Sequence, residues 1–327
     1  TDSLTDYLKI ASKTKTFFRY FNTNPSHLYS SFGNYYYFTI DPLIDIRLGH
    51  EISNSSKIFT NTRGIRLLAG IDHKVYIFSE ITENQIKPLD YITDFAKLNM
   101  AFPGAGFIKS YSSKIFKIHN GYDYILAEGG LNFNITKHIN LSFGHGKNFI
   151  GQGIRSLLIS DFSPPQFYLK INSQFERFRY VNIFSELAAG NRFTDGGDKL
   201  IIKKYAASHY LSFNVSNKWN IGLFESIIFN RNRGFELQYL NAVIFYRAIE
   251  QAVGSPDNVL LALQSHFNFF KSFTLYSQLL IDEFVFKRII SSNQGWWGNK
   301  NGFQLGIKYP EVAGLPNLNA QLEYNSV

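Results

Sequence analysis

Apolar and polar residues alternate strictly along most of this chain. Between Tyr36 and Leu48 the even positions read Tyr, Phe, Ile, Pro, Ile, Ile, Leu, while the odd positions include Thr39, Asp41, Asp45 and Arg47. Successive side chains of a β-strand point to opposite faces, so this pattern predicts a half-buried strand. The pattern returns in Ile65, Leu67, Ala69 and Ile71 against Arg66 and Asp72, and in Ile139, Leu141 and Phe143 against Asn140 and Ser142. It continues in Phe167, Leu169 and Ile171, in His209, Leu211, Phe213 and Val215, and in runs at residues 259 to 269, 273 to 281, 303 to 309 and 318 to 324.

Roughly a dozen such segments, often ~9 to 11 residues long, match what a tilted strand needs to cross a bilayer. Soluble sandwiches use shorter strands of ~5 to 6 residues with tighter turn spacing. The expected fold is therefore all-β, an antiparallel transmembrane barrel of the outer-membrane type. Mean hydropathy is −0.14, and no apolar run approaches the ~20 residues of a spanning helix, which excludes a helical membrane protein but not a barrel. Aromatic residues make up 17% of the chain. Tyr35, Tyr36, Tyr37, Trp219, Phe245, Tyr246, Trp296 and Trp297 fall near strand ends or in connections, as the girdles of a barrel would.

Three stretches depart from period two. Residues 1 to 21 place Leu4, Tyr7, Leu8, Ala11 and Phe18 near helical spacing, with Ser3 or Thr5 as N-cap, and predict a periplasmic amphipathic helix ahead of a barrel over 22 to 327. Residues 85 to 118, with Pro88, Pro103, Gly104 and Gly106, predict a long loop with a helical piece near Ile92 to Met100, outside the membrane or folded inward. Residues 235 to 253 predict a helix, or a strand and then a helix, stopped by Gly254 and Pro256, with an internal plug as one possibility. No signal peptide precedes Thr1, so any secretory signal has been removed or lies outside this sequence.

Chemistry-bearing patterns are few. There is no cysteine, so a disulfide framework and a thiolate zinc site are excluded, and the histidines lack ligand spacing, which leaves no cofactor or metal expected. Lys and Arg total 33 against 25 for Asp and Glu, a net +8 that suits lipopolysaccharide or an acidic polysaccharide. The basic residues are scattered and no RNP-like or KH-like motif occurs, so nucleic acid is not an expected partner.

The densest motif is HGKNFIGQGIRSLLISDFSPP, residues 145 to 165, whose Gly146, Gly151 and Gly153 permit tight turns or close backbone approach. No Walker lysine follows, so it is not a phosphate loop. This segment resembles a signature of the Wzi-like capsule assembly family, in particular its RemB-type gliding motility branch in Bacteroidetes. GLFESIIF (222 to 229), NAVIFYRAIEQAVGSPDNVLLAL (241 to 263), LLIDEF (279 to 284) and GWWGNKNGFQLGIKY (295 to 309) are similar to further blocks of that branch in the same order. The resemblance implies an outer-membrane barrel with a periplasm-facing helical element, tied to surface polysaccharide or gliding. Chains of that family continue past the segment matching PNLNAQLEY, residues 316 to 324, so further strands or a partner chain are expected to complete this barrel.

Two carboxylates break the apolar phase: Glu225 falls in line with Trp219, Ile221, Leu223 and Ile227, and Glu283 follows Leu279 and Ile281. They are expected at a rim, beside a bulge, or against a basic partner such as Arg155, Arg231, Arg233 or Arg247. Trp296 and Trp297, with Asn299 and Lys300, suit stacking and hydrogen bonding to a sugar. The candidate residues facing the lumen or a polysaccharide are Arg155, Asp161, Glu225, Glu236, Arg247, Glu250, Asp257, Asn258, Asp282, Glu283, Trp296, Trp297, Asn299 and Lys300.

The expected role is a non-enzymatic barrel that attaches or assembles surface polysaccharide or supports gliding, with the outer membrane and lipopolysaccharide as partners and an acidic surface polysaccharide as a candidate one. A structural subunit in a motility or secretion complex is the alternative. A polysaccharide-processing enzyme, with Glu225 or Glu236 as acid or base, is a third reading.

Overall fold

The computed structural model describes residues 26–52, 56–99, 102–106, 108–188, 202–231, 234–243, 245–254, 257–270, 272–282 and 300–327. The expected N-terminal helix lies outside the described residues. The strands are β1 (Tyr29–Phe32), β2 (Tyr36–His50), β3 (Lys57–Ile71), β4 (Val75–Lys87), β5 (Lys109–Ser113), β6 (Ile118–Asn134), β7 (Ile139–Gly146) and β8 (Gln166–Phe175). They continue as β9 (Phe178–Ala188), β10 (Lys203–Asn214), β11 (Trp219–Phe229), β12 (Asn258–Phe269), β13 (Phe273–Asp282), β14 (Lys300–Tyr309) and β15 (Ala320–Ser326). All belong to one 15-stranded sheet in which each strand pairs antiparallel with the next, β5 alone lying beside the path against β6.

Every alternating segment read from the sequence is a strand, but the buried half is the polar one. Gln264, Gln278, Gln304 and Asn325 stand opposite one another across β12 to β15. Of these, Gln278 is 2% exposed and Gln304 0%. One residue along, Leu223, Leu263, Leu279 and Phe303 form the matching row on the other face, with Leu223 56% and Leu263 45% exposed. Ile44, Ile46 and Leu48 of β2 are likewise exposed. A sheet with glutamines inside and leucines outside has its apolar face turned to lipid and its polar face to a lumen.

The sheet curls around that lumen. The connection between β7 and β8 meets the inward faces of β8, β9, β10, β11 and β12 through Ile150 and Leu158, and also hydrogen-bonds to β13, β14 and β15. One loop can reach both sets only if the wall bends round it. The protein is an antiparallel transmembrane β-barrel of the outer membrane.

Strand connections alternate in length. At one end the connections 72–74, 135–138, 176–177, 215–218 and 270–272 are short and 310–319 is longer, whereas at the other 88–108, 147–165 and 230–257 are long and 51–56 is shorter. Asp72 and His73 both have positive φ, 51° and 52°, the backbone of a type I′ hairpin turn. Short turns mark the periplasmic end of such barrels and long loops the extracellular end. An aromatic girdle rings the short-turn end of the outer face: Phe178 stacks on Phe213 at 4.8 Å and Phe273 on Tyr309 at 4.2 Å.

Inside the lumen, β4 extends to Lys87 and is followed by helix α1 (Asp90–Asn99), so the helical piece expected near Ile92 is present. Ala96, Phe102, Ala105 and Ile108 pack on Ile86 and Tyr122, which point inward, so this connection folds into the lumen. An arginine on the lipid face should destabilise the barrel. Leu263→Arg, at mid-wall, is expected to cost about 2–4 kcal/mol of folding free energy in lipid vesicles, read from the urea midpoint. An unchanged midpoint would mean that this face does not meet lipid.

Candidate functional site

Two structures built from the long loops stand out, one on each face of the wall. The first is the glycine-rich segment 147–165 inside the lumen. Its apolar residues Ile150 and Leu158 pack against Tyr168, Val181, Ile183, Tyr210, Phe224 and Ala262. Its backbone is held by side chains from the far strands. The Glu323 carboxylate accepts from the Ile154 N–H at 2.7 Å and from the Tyr276 hydroxyl at 2.7 Å. Gln304 donates to the Arg155 carbonyl at 2.9 Å, and Gln278 accepts from the Leu157 N–H at 2.8 Å. Gln278 in turn donates to Gln264 at 3.0 Å, and Gln264 donates to the Tyr210 hydroxyl at 3.0 Å. The bonds offset much of the cost of burying Gln264 and Gln278, while Gln304 keeps its Oε1 buried without a partner, and they fix the loop because each bond to it has one partner in the wall.

Gly153 explains why the motif needs glycine. A Cβ there would lie 2.1 Å from Glu323 Oε2 and 2.6 Å from the Arg155 carbonyl, so only a residue without a side chain lets the loop tip reach β15.

Cations line this loop. Lys170 donates to Asn148 at 2.9 Å, and Arg179 donates to Asn172 at 2.9 Å; among the described residues neither forms an ion pair. Lys147 is half-buried, and burial pushes its ammonium below the usual lysine range, an effect opposed by Glu128 and Asp161. Arg155 pairs with Asp161 at 3.2 Å. Asn148, Gln152, Lys170, Arg179, Tyr210 and Gln264 surround a cavity of about 110 Å³ between loop and wall.

The second structure is a flap on the outer face. Residues 235–254 run as a 3-10 turn (Leu237–Leu240) and then helix α2 (Tyr246–Val253), ended by Gly254 with φ 66°. Tyr239, Tyr246 and Ile249 pack on Phe184, Ala207, Ile227, Phe229 and Val259, all outward-facing, so this segment is not a lumen plug. The reason is polar. Glu225, His209 and Asn182 lie outward on β11, β10 and β9 in direct register, at positions where lipid would otherwise meet them. The flap covers them. Glu225 accepts from the N–H groups of Tyr246 (3.0 Å) and Arg247 (3.2 Å) at the start of α2, where the helix dipole favours a carboxylate. His209 Nε2 meets the Asn241 carbonyl at 3.2 Å, and the Tyr180 hydroxyl donates to the Ala242 carbonyl.

The sequence candidates divide accordingly. Arg155 and Asp161 sit on the lumen loop, while Asn258, Asp282 and Lys300 occupy inward positions at the extracellular end of β12, β13 and β14. Five are corrected from a lumen setting to the outer side. Glu225, Arg247 and Glu250 form the join between flap and wall, where Arg247 pairs with Glu250. Glu236 and Asp257 both pair with Arg231, and Asp257 also accepts from the Tyr239 hydroxyl at 2.7 Å. They face outward because the flap they anchor lies on the lipid side. Glu283, Trp296, Trp297 and Asn299, and the proposed partner Arg233, lie outside the described residues. Sequence reading missed Glu323, Gln278 and Gln304; each sits in the polar phase of its strand, but nothing local to the strand marks its partner in a distant loop.

No family model matches the sequence, and no curated protein does. Among solved structures, the chain is similar to Pseudomonas aeruginosa OccK3 (OpdO), with 11% identity over 89% of this chain and 74% of that one and a TM-score of 0.42. Salmonella typhi OmpF, in complex with daunomycin, gives 10% identity, 91% and 92% coverage and a TM-score of 0.38. The outer membrane protein OprD from Pseudomonas aeruginosa gives 13%, 89% and 71%, and 0.34.

Two substitutions separate the roles of loop and flap. Gly153→Val forces the loop tip off Glu323, and single-channel conductance in a planar bilayer should rise by about twofold or more with the barrel still folded. Unchanged conductance would show that the loop does not narrow the lumen. Glu225→Ala leaves the Tyr246 and Arg247 N–H groups unpaired, a loss of roughly 1–2 kcal/mol. Tryptic cleavage after Arg247 should then quicken by about tenfold. Cleavage at the wild-type rate would mean that this carboxylate does not hold the flap.

Proposed function

We propose that this barrel is an occluded, non-enzymatic surface protein that holds an acidic polysaccharide in its lumen. The observation that supports it most is the pinned lumen loop with Lys170 and Arg179 beside it, both bonded to amide oxygens and neither to a carboxylate. Two like charges lining one cavity favour an anion, and the surrounding low dielectric strengthens that preference. A loop bonded to β13, β14 and β15 also narrows the passage that an open diffusion pore would keep clear. The resemblance to capsule assembly and gliding proteins gives the ligand its class: a surface glycan carrying carboxylates. Many weak contacts along a polymer would multiply into firm retention.

The enzyme reading has less support. Glu225 lies on the lipid side with both carboxylate oxygens taken by backbone N–H groups, and Glu236 pairs with Arg231. Neither is placed beside a second carboxylate in the lumen, as glycoside hydrolysis would require.

The decisive measurement is the partition of capsular polysaccharide between cells and medium in a strain lacking this protein, scored beside surface motility. Release of polysaccharide into the medium is the expected result. Polysaccharide retained on cells that have stopped moving would overturn it in favour of a structural subunit of a motility or secretion machine. Binding of the purified glycan to the purified barrel should weaken steeply with added salt and fall by about tenfold in K170Q/R179Q.

A further inference from the structure

The flap does more than hide three polar side chains. A leucine at position 225 would need no cover, yet the chain places a carboxylate, an imidazole and an amide in register on the lipid side and folds a segment from the extracellular end down over them. An ionisable group at membrane depth that is kept and satisfied marks a functional element. What the arrangement produces is an overhang: Val243 and Phe245 stand 84% and 73% exposed at the flap's lower edge. Beneath them runs a groove of about 670 Å³ with Leu211, Leu223, Leu261 and Leu279 on its floor.

The ends of the groove are chemically distinct. At the covered end Tyr180, His209 and Glu225 line it, but each is turned to the flap's backbone at Ala242, Asn241 and the start of α2. The remaining surface is apolar and runs without interruption into the leucine row of β11 to β13 that already faces lipid. Among the described residues, no charged side chain other than Glu225 lines it.

We propose that this groove seats one acyl chain of a membrane lipid, roofed by Val243 and Phe245 and held on the leucine floor. The occupant is a lipid chain because the groove opens onto the lipid-facing belt and offers no unpaired polar group for a protein backbone or side chain to meet. The seat is distinct from the lumen and independent of what the lumen binds.

The chain contains no cysteine, so a single thiol can be introduced and labelled. L261C, carrying bimane on the groove floor, is purified in detergent and titrated with phosphatidylglycerol whose acyl chains are dibrominated. Quenching is expected to saturate at one lipid per barrel, and V243S/F245S in the same background should raise the lipid concentration at half-saturation by about tenfold. Heat-modifiable migration on a gel confirms that each variant is folded. Quenching that rises only in proportion to bulk lipid, with no saturable step, would overturn the proposal. So would quenching by aqueous iodide in vesicles, which would place the flap in water and leave its edge to a protein partner.

Discussion

Within a bilayer every backbone N–H and C=O must find its partner in the protein, because hydrocarbon offers none. A wall of paired strands meets that demand, and the demand has a second consequence. Once the backbone is satisfied, side chains are sorted by strand parity alone, so each residue's chemistry is committed to lipid or lumen by whether its number is odd or even in its strand. Gln264, Gln278 and Gln304 fall inward and Leu263, Leu279 and Phe303 outward by this rule. Both long-loop structures are responses to it. Inward glutamines need partners, and the 147–165 loop brings them; outward Glu225 and His209 violate the rule, and the 235–254 segment supplies their partners and covers Asn182 beside them.

The two responses differ in how they are held. The lumen loop is bonded through its backbone to side chains of β13, β14 and β15, so its position is set by strands far from it in sequence. The flap is bonded through its own backbone to outward side chains on β9, β10 and β11, and its Tyr239 and Arg231 meet at Asp257 just ahead of β12. It is therefore tied to the strands that flank it. Loosening the flap leaves the lumen intact, and loosening the lumen loop leaves the outer wall intact.

Much of this was legible in the alternation. The strands at residues 36–48, 139–143, 259–269 and 303–309 follow directly from period two, and the lengths pointed to a barrel rather than a sandwich. Period two shows that a strand has an apolar and a polar face; it does not show which is buried. The strand lengths, by pointing to a barrel, decide it: the apolar side of the 36–48 segment faces outward, with Ile44, Ile46 and Leu48 exposed. The helix near Ile92 and the stop at Gly254 were local signals and appear where expected. The side of the wall taken by residues 235–253 was not local. It depended on Glu225 being outward and on strands β9 and β10 placing Asn182 and His209 beside it, a register that no single segment encodes. The out-of-phase Glu225 was visible, but a rim, a bulge or a basic side chain was expected there, whereas the backbone N–H groups of Tyr246 and Arg247 cover it from outside.

The role of Gly153 links the sequence motif to the lumen's function. Glycine in a loop is often a matter of turn geometry, but here it is the space a Cβ would take that matters, since Glu323 and Gln304 occupy it. The same close approach sets the passage: a loop tip that swings aside gives up the bonds from the Ile154 and Arg155 N–H groups to the Glu323 carboxylate, which keeps those from Tyr276 and Asn325. Opening the lumen would thus require breaking several hydrogen bonds at once, those of Glu323, Gln304 and Gln278 to the loop backbone. A barrel built this way resists gating by small forces, because the loop's bonds to β13, β14 and β15 must give way together.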